Sequence, residues 1–370
     1  MSERTAYKDY FDATAATRLA NQIARVYPEL NKRRFKQQCT RGLDKLEFHD
    51  RVKQFSTALH ENLPASIDDA LDLLTKSLPA PLPDCERVTD GWLQWPVGQF
   101  IADFGTQHFE HAFHAMIELT QRFTSEFAVR PFVEQAPEQT FERLLELTSH
   151  DNPHVRRWCS EGVRPRLPWG RKLKQLVQNP DPIFPILEQL KDDPELYVRR
   201  SVANNLNDVA KDHPQRVIEC CRGWSGGSDE RQWVVRHALR TLVKDGDPGA
   251  LELVGFSAPR KIELTLEVTP KRIAVGNDVT LSAELFNGSK RTQNLLLDFV
   301  VHYVRKSGQR TEKVFKWKSL ELPAGESRSL QKKLPMRETT VRALYPGKHL
   351  VELQINGTRM ASASFHLKQS

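Results

Sequence analysis

The stretch VRRWCSEGVRPRLPW (155–169) sets one carboxylate, Glu161, among the arginines Arg156, Arg157 and Arg164, with Trp169 just past Pro165 and Pro168. If 154–164 is a helix, Arg157, Glu161 and Arg164 fall near one face, opposite Val155, Trp158 and Cys159. The pattern returns further on. Arg200, Asn204 and Asp208 are spaced i, i+4, i+8, opposite Val198, Val202 and Leu206, and Arg236, Arg240 and Lys244 repeat that spacing. The segment FTSEFAVRPFV (123–133) adds Glu126 and Arg130, four apart at the end of a helix expected from about Phe109. Taken singly, each is a surface ion pair worth roughly a few tenths of a kcal/mol. Stacked on neighbouring helices, they become one polar groove. A carboxylate kept ionised by guanidinium groups can stabilise a developing positive charge or position a water, and arginines around it suit phosphate. Trp169, in its rigid turn, either caps the core or offers a stacking surface.

These residues need a scaffold that repeats. Over residues 1–255 the apolar positions recur at helical spacing, as in Phe141, Leu144, Leu145 and Leu147, and prolines fall at the boundaries. Three stretches resemble one another: DNPHVRRWCSEG (151–162), DPELYVRRSVANNLND (193–208) and DERQWVVRHALRTLVKD (229–245). Aligning Val155, Val198 and Val235 gives spacings of 43 and 37 residues, each copy being an acidic turn, a Val-Arg pair and an amphipathic helix. That period predicts HEAT-like helical repeats, stacked so that consecutive units share one surface. From residue 262 the pattern changes to period two. Seven β-branched-rich runs (262–268, 279–286, 295–304, 313–320, 328–334, 348–355 and 361–368), separated by Gly, Pro and Asn turns, predict an immunoglobulin-like sandwich. The expected fold is therefore mainly α: a HEAT-like α-solenoid over 1–255, then an all-β immunoglobulin-like sandwich over 256–370.

Charge separates the same two regions. Residues 256–370 hold 20 Lys+Arg and 10 Asp+Glu, against 34 and 37 in the rest, so the net +7 resides in the C-terminal third. That excess suits phosphates or merely a solvated surface. The five cysteines include no C-x-x-C pair and read as reduced thiols. No apolar run reaches the length of a membrane span, and the first residues lack the apolar core of a signal peptide, so a cytoplasmic protein is expected. The sequons at Asn287 and Asn356 then read as turn chemistry. His108, His111 and His114 lie three apart and fan around a helix, which disfavours a metal site. There is no Walker loop, no G-x-G-x-x-G in a strand–helix context and no G-x-S-x-G, and no cofactor is expected.

Three motifs, WPVGQFIADFG (95–105), FTSEFAVRPFV (123–133) and HVRRWCSEGVRPRLPWG (154–170), together resemble the AlkC branch of the AlkC/AlkD-type alkylpurine DNA glycosylases. The resemblance implies a monomeric, metal-independent enzyme that acts on double-stranded DNA and removes cationic N3-methylated bases, 3-methyladenine and 3-methylcytosine. It also implies catalytic carboxylates, which fall here on Glu126 and Glu161; Asp208 joins them by repeat alignment. Around them, Arg157, Arg164, Arg166, Arg200, Asn204, Arg236 and Arg240 are the expected DNA contacts, and Trp169 would pack against an exposed nucleotide or its gap. A base methylated at N3 is already cationic and leaves without a general acid. The barrier lies in an oxocarbenium-like sugar, which a carboxylate stabilises. Two other readings stand beside this one: a non-catalytic HEAT scaffold and a structural DNA binder. Interleaved Arg–Glu–Arg and Arg–Asn–Asp faces fit a protein scaffold poorly.

Overall fold

The structure, a computed structural model, describes residues 6–85, 88–339 and 343–368. The chain divides into two compact units, Met1–Asp212 and His213–Ser370. Among the described residues the first is all helical, and the second carries four helices, the last ending at Leu253, and then eight strands.

In the first unit the repeat pattern becomes helix pairs, Pro137–Glu146 with Pro153–Glu161 and Phe184–Leu190 with Leu196–Val209. Helix Pro153–Glu161 begins where the Asn152 side chain accepts a hydrogen bond from the His154 amide at 2.8 Å, with Pro153 supplying a preset φ at the first helical position. It buries Val155, Trp158 and Cys159 completely. It ends at Glu161, three residues before the end expected from the pattern. The chain turns at Gly162, whose carbonyl accepts from Arg130 Nη1 at 2.9 Å, and a Cβ there would lie 2.7 Å from Val129. Arg164 therefore sits in the following turn, and its guanidinium comes back to the helix end.

Helix Leu196–Val209 buries Val198, Val202 and Leu206 as its period requires. It is covered on a second side as well, where helix Pro153–Glu161 packs against it and Asn205 Nδ2 donates to the Ser160 carbonyl at 2.8 Å. Ser201, Asn205 and Asp208 are buried in consequence. The helix from Phe109 is shorter than its pattern: it stops at Thr120, because Ser125 Oγ donates to the Met116 carbonyl at 2.7 Å and so takes over a helix-end acceptor. Glu126 lies in the turn that follows, ahead of helix Arg130–Gln135.

In the second unit the third repeat departs from expectation. Residues 229–245 form two helices, Asp229–Ala238 and Arg240–Asp245, joined at buried Leu239 (φ −82°, ψ −2°). Arg236 lies on the first of these helices and Arg240 and Lys244 on the second.

The strands are β1 (Ile262–Thr269), β2 (Arg272–Ala274), β3 (Asp278–Asn287), β4 (Gln293–Val304), β5 (Arg310–Leu322), β6 (Ser327–Pro335), β7 (Gly347–Ile355) and β8 (Thr358–Lys368). They form a three-stranded sheet, β1-β3-β6, and a five-stranded sheet, β2-β8-β7-β4-β5. All seven expected strands are present; the eighth, β2, is three residues paired parallel to β8, too short to leave a period in sequence. Val268, Leu281, Leu285, Leu297, Val301, Val351 and Leu353 fill the core. Both sequon asparagines are buried. Asn287 Nδ2 donates to the Leu322 carbonyl at 2.8 Å, and Asn356 bonds the Leu296 amide and the Ser257 carbonyl, so each organises a turn from within. Gly246, at φ 83°, ends its helix against Gly357; a Cβ on Gly357 would stand 2.6 Å from the Gly246 carbonyl oxygen.

Candidate active site

Six side chains of the first unit form one alternating chain of charge: Glu126, Arg157, Glu161, Arg164, Asp208 and Lys211. Arg157 Nη1 pairs with Glu126 Oε2, and its Nη2 lies 3.4 Å from Glu161 Oε1. Arg164 Nη1 donates to the same Glu161 oxygen at 2.6 Å, while its Nε reaches Asp208 Oδ2 at 2.8 Å. Lys211 Nζ closes the chain on Asp208 Oδ1 at 2.8 Å. Neutral donors complete it: Ser201 Oγ to Glu161 Oε2 at 2.7 Å and Thr124 Oγ1 to Glu126 Oε2 at 2.9 Å.

All three acids are buried, Glu161 to 6% exposure and Asp208 to 3%. Burial alone would push the Glu161 carboxyl up. Arg157 and Arg164, with the hydrogen bonds from Ser201 and Arg164, outweigh it and hold the group below the usual carboxylate range. Glu161 also sits at a helix C-terminus, where the helix dipole disfavours an anion, so the two guanidiniums offset that as well. Arg157 and Arg164 are both held above their ordinary values: burial lowers each, and the paired acids more than restore it. Arg130, 1% exposed, donates to the Gly162 and Arg171 carbonyls and so fixes the turn that carries Glu161 and Arg164; burial pulls its pKa down to about 10.

Beside the charge chain lies a cavity of about 300 Å³ walled by Trp92, Trp95, Phe127 and Trp169, with Glu126, Arg157 and Tyr197 also lining it. Trp95 stacks on Phe127 at 4.8 Å and on Trp169 at 6.2 Å, and the Arg157 guanidinium lies 5.4 Å from the centre of the Tyr197 ring. Trp169 has a left-handed backbone, φ 64°, and is 52% exposed. A non-glycine residue there is strained by roughly 1–2 kcal/mol, which the surrounding rings must offset. Of the three acids, Glu126 lines this cavity, and both its partners, Thr124 and Arg157, meet Oε2. Its Oε1 is the oxygen left for a water or a ligand.

The structure thus brings Glu126, Arg157, Glu161, Arg164 and Asp208 together, with Trp169 at the cavity. Arg157 and Arg164 direct their guanidiniums to the acids. Arg166 makes a two-pronged pair with Asp212, at 2.9 and 2.7 Å. Arg200 is exposed and Asn204 half-buried on their helix. Arg236 and Arg240 lie in the second unit. Sequence reasoning missed Thr124, Ser201, Lys211, Tyr197 and the Trp92–Trp95–Phe127 wall. Thr124, Phe127, Tyr197, Ser201 and Lys211 each lie within three residues of a chosen one, and Trp92 and Trp95 do not, yet an ordinary hydroxyl or ring gives no signal until folding aims it. His108 and His111 pair with Asp68 and Asp72, at 2.8 and 3.0 Å. No group of His, Cys, Asp or Glu among the described residues could hold a metal ion, and none of their helices is long and apolar enough to cross a membrane.

A helical-repeat unit bearing a buried acid–arginine chain, in a chain that ends in an immunoglobulin-like sandwich, defines the class, and relatives confirm it. Residues 263–369 match the family model "Uncharacterised protein YhaZ, C-terminal Ig-like domain". The whole chain is 35% identical to YhaZ of Bacillus subtilis over 369 residues, covering 97% of this chain and 99% of that protein. It superposes on the Pseudomonas fluorescens alkylpurine DNA glycosylase AlkC, solved bound to DNA containing an abasic-site analogue, with a TM-score of 0.89 and 34% identity over 98% of this chain and 99% of that one. The chain belongs to the AlkC-type family, and its fold is the HEAT-like repeat with a C-terminal immunoglobulin-like sandwich that the family shares.

Proposed function

We propose that this protein is a monofunctional DNA glycosylase that hydrolyses the N-glycosidic bond of cationic N3-methylated bases, 3-methyladenine and 3-methylcytosine, in double-stranded DNA. The observation that carries the reading is the buried chain of three acids paired with Arg157, Arg164 and Lys211 beside an aromatic cavity. The AlkC relationship supports the same class of reaction.

In this reading the C1′–N bond breaks, and its electron pair leaves with the base, neutralising the base's charge. Positive charge moves to the sugar, where the carboxylates stabilise it. Glu126 Oε1 orients the water that adds to C1′, and the water's proton passes to a carboxylate or to solvent. Glu161 and Asp208 supply fixed negative potential. Arg157 and Arg164 set the geometry of all three acids and keep Glu161 ionised. Phosphate contact then falls to the more exposed Arg166, Arg200 and Asn204 and to the basic second unit, which includes Arg236 and Arg240. The protein acts as a cytoplasmic monomer. The test is release of free 3-methyladenine from methylated duplex DNA by purified protein with no added metal or cofactor. Absence of release by well-folded protein overturns the reading.

A further inference from the structure

The cavity beside Glu126 has a neighbour that sequence motifs do not single out. Tyr7 lies in a short 3₁₀ turn, Tyr7–Tyr10, and its ring centre is 5.5 Å from that of Trp92 and 5.5 Å from that of Trp169, edge-on to the latter at 70°. Trp92 and Trp169 are two of the cavity's walls. The turn is anchored from both directions. Buried Arg51 donates to the Lys8 carbonyl at 2.8 Å and the Phe11 carbonyl at 3.4 Å, Lys8 Nζ reaches Glu47 at 2.9 Å, and Tyr10 packs edge-on to Trp92 at 5.6 Å. Asp12 then caps the next helix.

A segment held this firmly still leaves the Tyr7 ring 64% exposed, next to a Trp169 ring 52% exposed on a left-handed backbone. These are the two most exposed large apolar side chains among the described residues, and they touch each other at the rim of the acid site. Scattered exposed apolar groups need no explanation, but an adjacent aromatic pair continuous with a binding cavity marks a contact surface. Exposed aromatic residues beside acids suited to a sugar cation fit a nucleobase, because every base has a π-face to stack.

We propose that Tyr7 and Trp169, set edge-on to each other, form an aromatic corner that takes a nucleobase of the strand presented to Glu126, stacked on one ring and abutting the other, with Tyr7 as a DNA-binding residue. The proposal rests on the glycosylase reading above. Its test is arranged so that the two can fail separately: the wild type must first release 3-methyladenine, and the Tyr7 variants are judged only against an active wild type.

Tyr7→Phe, Tyr7→Leu and Tyr7→Ala are compared on a duplex that carries an abasic analogue flanked by 2-aminopurine. Tyr7→Leu keeps an apolar group against Trp92 while removing the ring, so it reports on stacking even if Tyr7→Ala disturbs the turn. Wild type and Tyr7→Phe should bind alike and shift the 2-aminopurine emission alike. Tyr7→Leu and Tyr7→Ala should bind about tenfold more weakly and lose the emission shift. Wild-type affinity and emission in Tyr7→Leu would overturn the proposal. So would weaker binding with an unchanged emission shift, because Tyr7 would then not touch a base.

Discussion

Replacing Glu161 by Gln removes the central charge of the chain while keeping its shape. In the wild type, three acids alternate with three bases and Glu161 is shared by Arg157 at 3.4 Å and Arg164 at 2.6 Å. The variant leaves Arg157 with Glu126 alone and Arg164 with Asp208, which Lys211 also uses, so the buried chain gains one net positive charge. Breaking a buried pair by removing one partner costs about 3–5 kcal/mol. The lower end is expected here, because the carboxamide oxygen still accepts from Arg164 and the amide group still faces Ser201. The chemical effect is separate. Loss of one fixed electrostatic stabiliser should slow base release by about 100-fold or more, while DNA affinity holds or improves because a negative charge near phosphate is gone. The wild-type Glu161 pKa is depressed, so its stabilisation is present above the unfolded carboxylate range and lost as pH falls through the lower folded value. The wild-type melting temperature should therefore fall more steeply below about pH 5 than that of Glu161→Gln. The assay is single-turnover release of 3-methyladenine at saturating protein, with thermal melts alongside to confirm folding. Near-normal excision by folded Glu161→Gln, and by Asp208→Asn, would remove both acids from the chemistry.

Other outcomes follow from the same geometry. No histidine lines the aromatic cavity, and Glu161 is held ionised, so a neutral lesion such as 1,N6-ethenoadenine should not be released; efficient release would reveal a proton donor elsewhere. In the sandwich, Lys271 lies in the turn between β1 and β2, Arg272 opens β2, and Arg305-Lys306 lies in the turn between β4 and β5. Reversing these four charges should weaken DNA binding and make log affinity against log salt shallower by about one unit for each phosphate that is no longer neutralised, and an unchanged slope would leave the sandwich a structural or partner-binding role. Charge reversal is a cleaner test than a cut near Phe256, because helices 214–253 belong to the same compact unit as the sandwich. Asp298 is 4% exposed, and burial raises its pKa to about 6, with Lys316 and Lys244 only partly opposing. A raised carboxyl is most stabilising when protonated, so wild-type stability should fall as pH rises from about 4 through 6. Asp298→Asn should flatten that fall, and a parallel pH profile in melts would show that Asp298 is not responsible.

The acid chain was partly legible before folding. Glu126, Glu161 and Asp208 stood out because each lies near arginines in a recurring helical frame, and the helix-to-strand change near residue 260 followed from a switch of period. The failures share one cause: helical spacing assumes a helix that continues. Contacts outside the helical ladder ended two of those helices, through Arg130 at Gly162 and Ser125 at Met116. Helical spacing puts Arg164 on a stripe with Glu161; Arg164 instead returns from a turn to join two acids. The arginines read as phosphate contacts proved, for Arg157 and Arg164, to be spent on carboxylates, since a pattern along one helix cannot tell which neighbour will lie opposite. The aromatic wall beyond Trp169 gave no signal for the same reason: Tyr7, the Trp92–Trp95 pair, Phe127 and Trp169 are far apart in sequence and meet only when the helices pack. Sequence determined which residues could ionise or stack and the period on which they recur; tertiary structure decided which of them share a low-dielectric space, because burial and pairing depend on neighbours that the chain brings from a distance.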